Sequence, residues 1–98
     1  MTTTYFDRIY EKVRCAVEDT VPDLPENWLH CKSYESTLAK ALLVHYLERE
    51  GFSRRMIVYY TGLQKSTVKQ HINGYPDRVK TDRLLRLLER ELQKTLEL

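Results

Sequence analysis

The stretch Ser53-Arg54-Arg55-Met56-Ile57-Val58-Tyr59-Tyr60-Thr61-Gly62-Leu63-Gln64-Lys65-Ser66-Thr67-Val68-Lys69-Gln70-His71-Ile72-Asn73-Gly74 decides how this chain is read. Alone, Met56-Ile57-Val58-Tyr59-Tyr60 would suit a short buried strand, because periodicity does not separate five buried residues in a strand from five in a helix. The flanks decide for helix, with Ser53 suited to cap a first turn and Gly62 to stop the last. Beyond Gly62, which takes a positive φ without strain, Leu63 supplies an apolar plug. A second helix is predicted over residues 64–73, where only Val68 and Ile72, four apart, are apolar. Gly74 is expected to end it, with Pro76 beyond. Two short helices about a glycine turn, the second with a narrow apolar edge, have the spacing of a helix-turn-helix.

The face opposite Val68 and Ile72 carries Gln64, Lys65, Ser66, Lys69, Gln70 and Asn73, with no carboxylate among them. That set suits the major groove: Gln and Asn pair bidentately with adenine, Lys reaches guanine O6 and N7, and Ser donates or accepts. These six are the candidate base-contacting residues, and the first turn, Gln64 to Ser66, is expected to do most of the reading. Arg54 and Arg55 at the start of the preceding helix, Thr67, and Arg78 and Lys80 in an expected loop after Gly74 are candidate phosphate contacts. Charge supports the placement. Residues 1–50 carry 6 basic and 9 acidic side chains, residues 51–80 carry 6 and 1, and residues 81–98 carry 4 and 4, although the whole chain is only +2. A net +5 concentrated in thirty residues marks a surface for a polyanion such as double-stranded DNA.

The chain also resembles the C-terminal duplex-binding domain of the bacterial replication initiator DnaA, of the Trp-repressor-like helix-turn-helix group. Tyr46-Leu47-Glu48-Arg49-Glu50 is similar to that family's Tyr-Leu-x-Arg-Glu. Ser53 to Gly62 with Ile57 is similar to its Ser-x-x-x-Ile segment ending in Gly, and Ser66-Thr67-Val68 to its Thr-Thr-Val. The resemblance spans residues 38–72. Leu63-Gln64-Lys65 stands where the family carries Arg-Asp-His, Gln70 where it has a second histidine, and Ala41 where it has an upstream arginine. The resemblance thus implies the family's fold and mode of duplex binding, with altered recognition residues and no expectation of an initiator's target sequence.

Around this stretch the chain reads as one all-α domain of about five helices over residues 1–98, since fourteen Leu against seven Val and three Ile favour helix. Residues 1–32 hold an N-terminal helix over about 4–19, capped by Thr3 or Thr4, and a linker broken by Pro22 and Pro25 that Trp28 and Leu29 pin to the core. Residues 33–98 hold the helix-turn-helix core. A helix begins after Ser33 or Ser36, buries Leu38, Leu42, Leu43, Tyr46 and Leu47 on one stripe, and stops at Gly51 with Phe52 in the accompanying apolar contact. The last helix starts near Thr81 or Asp82, with Leu84, Leu85, Leu88, Leu92 and Leu96 on one side. It is a candidate homodimer seam, although two heptads are short for an independent coiled coil.

Several functions are not expected. His30, His45, His71, Cys15 and Cys31 lack zinc-site spacing, so no metal or cofactor is called and the cysteines are assigned to core packing. No pair of titratable groups is placed for acid and base work, and no enzyme is expected. No apolar run suits a membrane span and the N-terminus lacks a secretion signal, which points to a cytoplasmic location. The competing function is a helical protein-interaction module or adaptor without nucleic-acid binding. The reading preferred on sequence is a DNA-binding regulator of transcription or replication.

Overall fold

The computed structural model describes residues 3–97, with side chains for residues 5–96. Five α-helices follow one another: α1 (Thr3–Thr20), α2 (Tyr34–Arg49), α3 (Arg54–Thr61), α4 (Lys65–Thr81) and α5 (Arg83–Glu97), with one 3-10 turn at Trp28–His30. No strand occurs among the described residues. The fold is therefore all-α, with a radius of gyration of 12.6 Å, as expected for a single compact domain of this length.

The arrangement follows from α2. Its buried residues include Leu38, Ala39, Ala41, Leu42, Leu43, Val44, Tyr46 and Leu47, which occupy most of its circumference and not only the stripe expected from its leucines. A helix apolar on nearly all sides must be surrounded. Accordingly, α1, α3, α4 and the 3-10 turn all pack against α2, and α5 closes the group against α1 and α4. Trp28, 1% exposed, pins the proline-containing linker as its sequence implied, and its indole N–H donates to Glu18 Oε2 at 2.9 Å.

Caps set the register of these helices. The Ser33 side chain accepts from the Ser36 N–H at the start of α2, and Ser53 accepts from Met56 N–H at the start of α3. Ser36, the other capping candidate, is buried inside α2. At the end of α2, Gly51 has φ +96°. Phe52 N–H reaches Leu47 O at 3.0 Å and Gly51 N–H reaches Glu48 O at 3.1 Å, a Schellman closure that carries the buried Phe52 ring into the core. The cap expected of Thr3 or Thr4 lies outside the described side chains.

The sequence misplaced the end of α4. The helix does not stop at Gly74 but continues through Pro76 to Thr81, so Arg78 and Lys80 belong to its last turn and not to a loop. Proline inside a helix costs about 3 kcal/mol through its missing N–H and its clash with the preceding turn. Tertiary contacts offset that cost. The buried Tyr75 ring stacks on His45 of α2, with centroids 3.9 Å apart and planes within 7°, while its hydroxyl donates to Glu89 of α5. Asp82 then joins two helices in a single residue: its N–H closes α4 on Arg78 O at 2.8 Å, and its carboxylate accepts from Leu85 N–H and from the Tyr34 hydroxyl. Desolvation raises the Asp82 pKa, but these donors and the Arg78 charge outweigh it and hold the carboxyl below its usual value.

Two further expectations are corrected. Cys15 is exposed and Cys31 half-buried, so neither is a core residue. Cys31 precedes α2, where the Ser33 N–H, followed by the Ser36 hydroxyl, lowers its thiol pKa. On α5, Leu85, Leu88 and Leu92 are buried but Leu84 is 41% exposed. The core takes most of the leucine seam that a symmetric dimer would have used.

Gly74 lies in helical conformation, and a Cβ added there meets nothing within 4 Å. Gly74→Ala is expected to raise stability by about 0.5–1 kcal/mol in thermal or urea unfolding, because it removes the entropy of a mid-helix glycine. Gly62→Ala should lower stability by more than about 1 kcal/mol, since alanine at φ +73° is strained. A second measurement concerns pH. Burial, then the Arg78 and Lys40 charges, pushes His71 from 6.5 down to about 4. Between those values the unfolded chain binds the proton that the folded chain refuses, so stability falls as pH drops from 6.5 toward 4. Melting temperatures across that window should show the slope, and His71→Gln should flatten it.

Candidate nucleic-acid interface

The α3–α4 junction is built from three residues. Gly62 takes φ +73°, and its N–H closes α3 on Val58 O. Thr61, buried at 4% exposure, donates from Oγ1 to Ile57 O at 2.7 Å and accepts from Leu63 N–H at 3.2 Å. Leu63 is buried, as its assigned role as plug requires. Gln64 then sits at the N-cap of α4 without a side-chain capping bond, so the helix proper starts at Lys65. Gly62 and Leu63 are legible as turn residues in the sequence, whereas Thr61 is an addition from the structure. Its signal was a hydroxyl residue one position before the glycine, able to satisfy both a carbonyl and an amide inside the turn.

All six candidate base-contacting residues, Gln64, Lys65, Ser66, Lys69, Gln70 and Asn73, are exposed. At 100° per residue, Ser66, Lys69, Gln70 and Asn73 fall within an arc of about 100° opposite the buried Val68. Lys65 lies toward α3, where it lines a shallow depression with Arg54, Arg55 and Val58. Three cations from two helices thus meet where α4 begins. None of them forms an ion pair among the described residues.

The remaining candidates separate from this group. Arg78 is half-buried and acts electrostatically on His71, Tyr34 and Asp82, which places it on the α2-facing side of α4. Thr67, four residues before His71 on that side, is also half-buried. Lys80 is exposed on the same side as Lys69 and Asn73, but about 22 Å along the axis from Lys65. Between them the extended helix presents exposed Asp77, a carboxylate on a face that was free of carboxylates as far as residue 73.

Tyr59 and Tyr60 diverge as adjacent helical residues must. Tyr60 is half-buried and stacks on Tyr10, centroids 5.1 Å apart. Tyr59 is 80% exposed, one turn after Arg55 on the outward side of α3. Its place beside the site is not legible in the sequence, because nothing in the run Met56-Ile57-Val58-Tyr59-Tyr60 marks which tyrosine faces outward.

No family model, curated protein or solved structure matches this chain.

What the geometry offers is a polar, cation-bearing ridge without carboxylates, about two and a half turns long, mounted on a turn that fixes its angle to α3. Among the described residues no helix is long and apolar enough to cross a membrane. Thr61→Val tests the turn: it keeps the shape but leaves the buried Leu63 N–H without its partner. The expected loss is about 1–3 kcal/mol in equilibrium unfolding.

Proposed function

We propose that this protein binds double-stranded DNA through a helix-turn-helix formed by α3 and α4, without catalysis. The observation that carries the reading is the exposed stripe Ser66, Lys69, Gln70 and Asn73 beside the Arg54, Arg55 and Lys65 cluster. The stripe offers base-edge chemistry and the cluster offers charge for the flanking phosphates. Gln64 and Lys65, at the tip of α4, would enter the groove first. The resemblance to the duplex-binding domain of DnaA supports the same docking mode, and regulation of transcription or replication is the setting it fits.

The exposed placement of Tyr59 suits a hydroxyl contact to phosphate beside Arg55. Arg78 and Thr67 are left out of the contact set, because they face α2. Asp77 limits how far α4 lies along the groove, since its carboxylate would meet phosphate with like charge. The reading half of α4 therefore ends near Asn73, and Lys80 stands apart from it.

Duplex affinity measured against salt tests the proposal. With the cluster Arg54, Arg55 and Lys65 each neutralising one phosphate, the logarithmic slope should be about −3. Lys65→Glu with Lys69→Glu should remove measurable binding, whereas Asp77→Asn should tighten it several-fold. A chain that binds no duplex at low salt would refute the reading.

A further inference from the structure

Two exposed patches of opposite charge lie outside the α3–α4 ridge, and neither has an ion-pair partner among the described residues. The first is on α5. Arg83, Arg86 and Arg90 are exposed, and they flank Leu87 in one depression, with Leu84 beside them. Leu84 and Leu87 are 41% and 49% exposed. Like charges three and four residues apart on a helix weaken it, so this row carries a local cost. The second patch is the end of α1 and the turn after it, where Asp19, Asp23 and Glu26 are exposed and line one recess with Pro22 and Leu24. Asp19 lies in the last turn of α1, where the helix dipole disfavours an anion.

We propose that the Arg83, Arg86 and Arg90 face of α5 docks on the Asp19, Asp23 and Glu26 turn of a second copy of this chain, joining copies head to tail. The two patches are complementary in charge. Apolar surface accompanies both charges, with exposed Leu84 and Leu87 on one patch and exposed Pro22 beside half-buried Leu24 on the other. Pairing α5 with α5 of another copy is disfavoured, because it would set arginine against arginine. Nucleic acid would neutralise the arginines but give Leu84 and Leu87 nothing to bury against. The contact is heterologous, so every copy in a row keeps one free donor face and one free acceptor face, and the assembly does not close at a dimer. Exposed ion pairs make it weak and sensitive to salt.

The inference does not depend on DNA binding and is tested without it, by sedimentation velocity on the full chain. At low ionic strength the weight-average sedimentation coefficient should climb with concentration past that of a dimer, and return to the monomer value at about 0.5 M salt, where screening acts over about 4 Å. Arg86→Ala with Arg90→Ala removes one face; Asp19→Asn with Asp23→Asn and Glu26→Gln removes the other. Each variant, shown to be folded by circular dichroism, should be monomeric alone. Mixed in equal amounts they should form a dimer and grow no further, because the one productive contact leaves only two disabled faces. Leu87→Ser should weaken association of the otherwise native chain. A wild-type chain that stays monomeric at every concentration in low salt overturns the proposal. So does a mixture that stays monomeric or grows past a dimer, or association unchanged by Leu87→Ser.

Discussion

Whatever α4 presents to its surroundings depends on the left-handed backbone at Gly62. A positive φ there ends α3 and redirects the chain within three residues, a conformation that glycine takes without the steric cost a Cβ carries. The turn is then locked from both sides by the Thr61 hydroxyl, which satisfies an α3 carbonyl and the Leu63 amide together. Leu63 and Ile57 seat the junction in the core. The angle between α3 and α4 is thereby held by hydrogen bonds that water does not reach. The burial of α2 supplies the other half of the constraint, since α3 and α4 both rest on it.

The two ends of α4 have different obligations. Its front half touches the core through Val68, with Ile72 packed at the edge, and leaves its outer face free. Its back half is held by Tyr75, clamped between His45 and Glu89, and by Val79 against the core. Pro76 lies between the halves and cannot supply an N–H to the carbonyl of Ile72. The hydrogen-bond ladder is thus interrupted where the free face gives way to the clamped one.

The legible parts of this fold were those governed by neighbours in sequence. Ser33, Ser53, Gly51 with Phe52, and Gly62 each act within a few residues, so their roles follow from local chemistry. The end of α4 was misread for the complementary reason. Gly74 and Pro76 are genuine stop signals, overruled by a ring contact from His45, thirty positions earlier, and a carboxylate from Glu89, fourteen positions later. The same error hid Asp77 from the polar face and placed Arg78 in a loop, when it faces α2 and its charge acts on His71. Cys15 and Leu84 were misassigned because residue type alone does not settle which side of an amphipathic helix is turned inward. The exposed stripe itself was legible, since Val68 and Ile72 fix the inward direction and helical periodicity does the rest.

The free face of α4 has a further consequence for how such a chain changes over generations. Ser66, Lys69, Gln70 and Asn73 are exposed and make none of the packing contacts that hold the core. Exchanging them leaves folding free energy nearly untouched, while altering whatever that ridge touches. Substitutions at these four positions are therefore filtered by what the ridge contacts and hardly at all by stability, so the surface and the core of this chain are free to change at different rates.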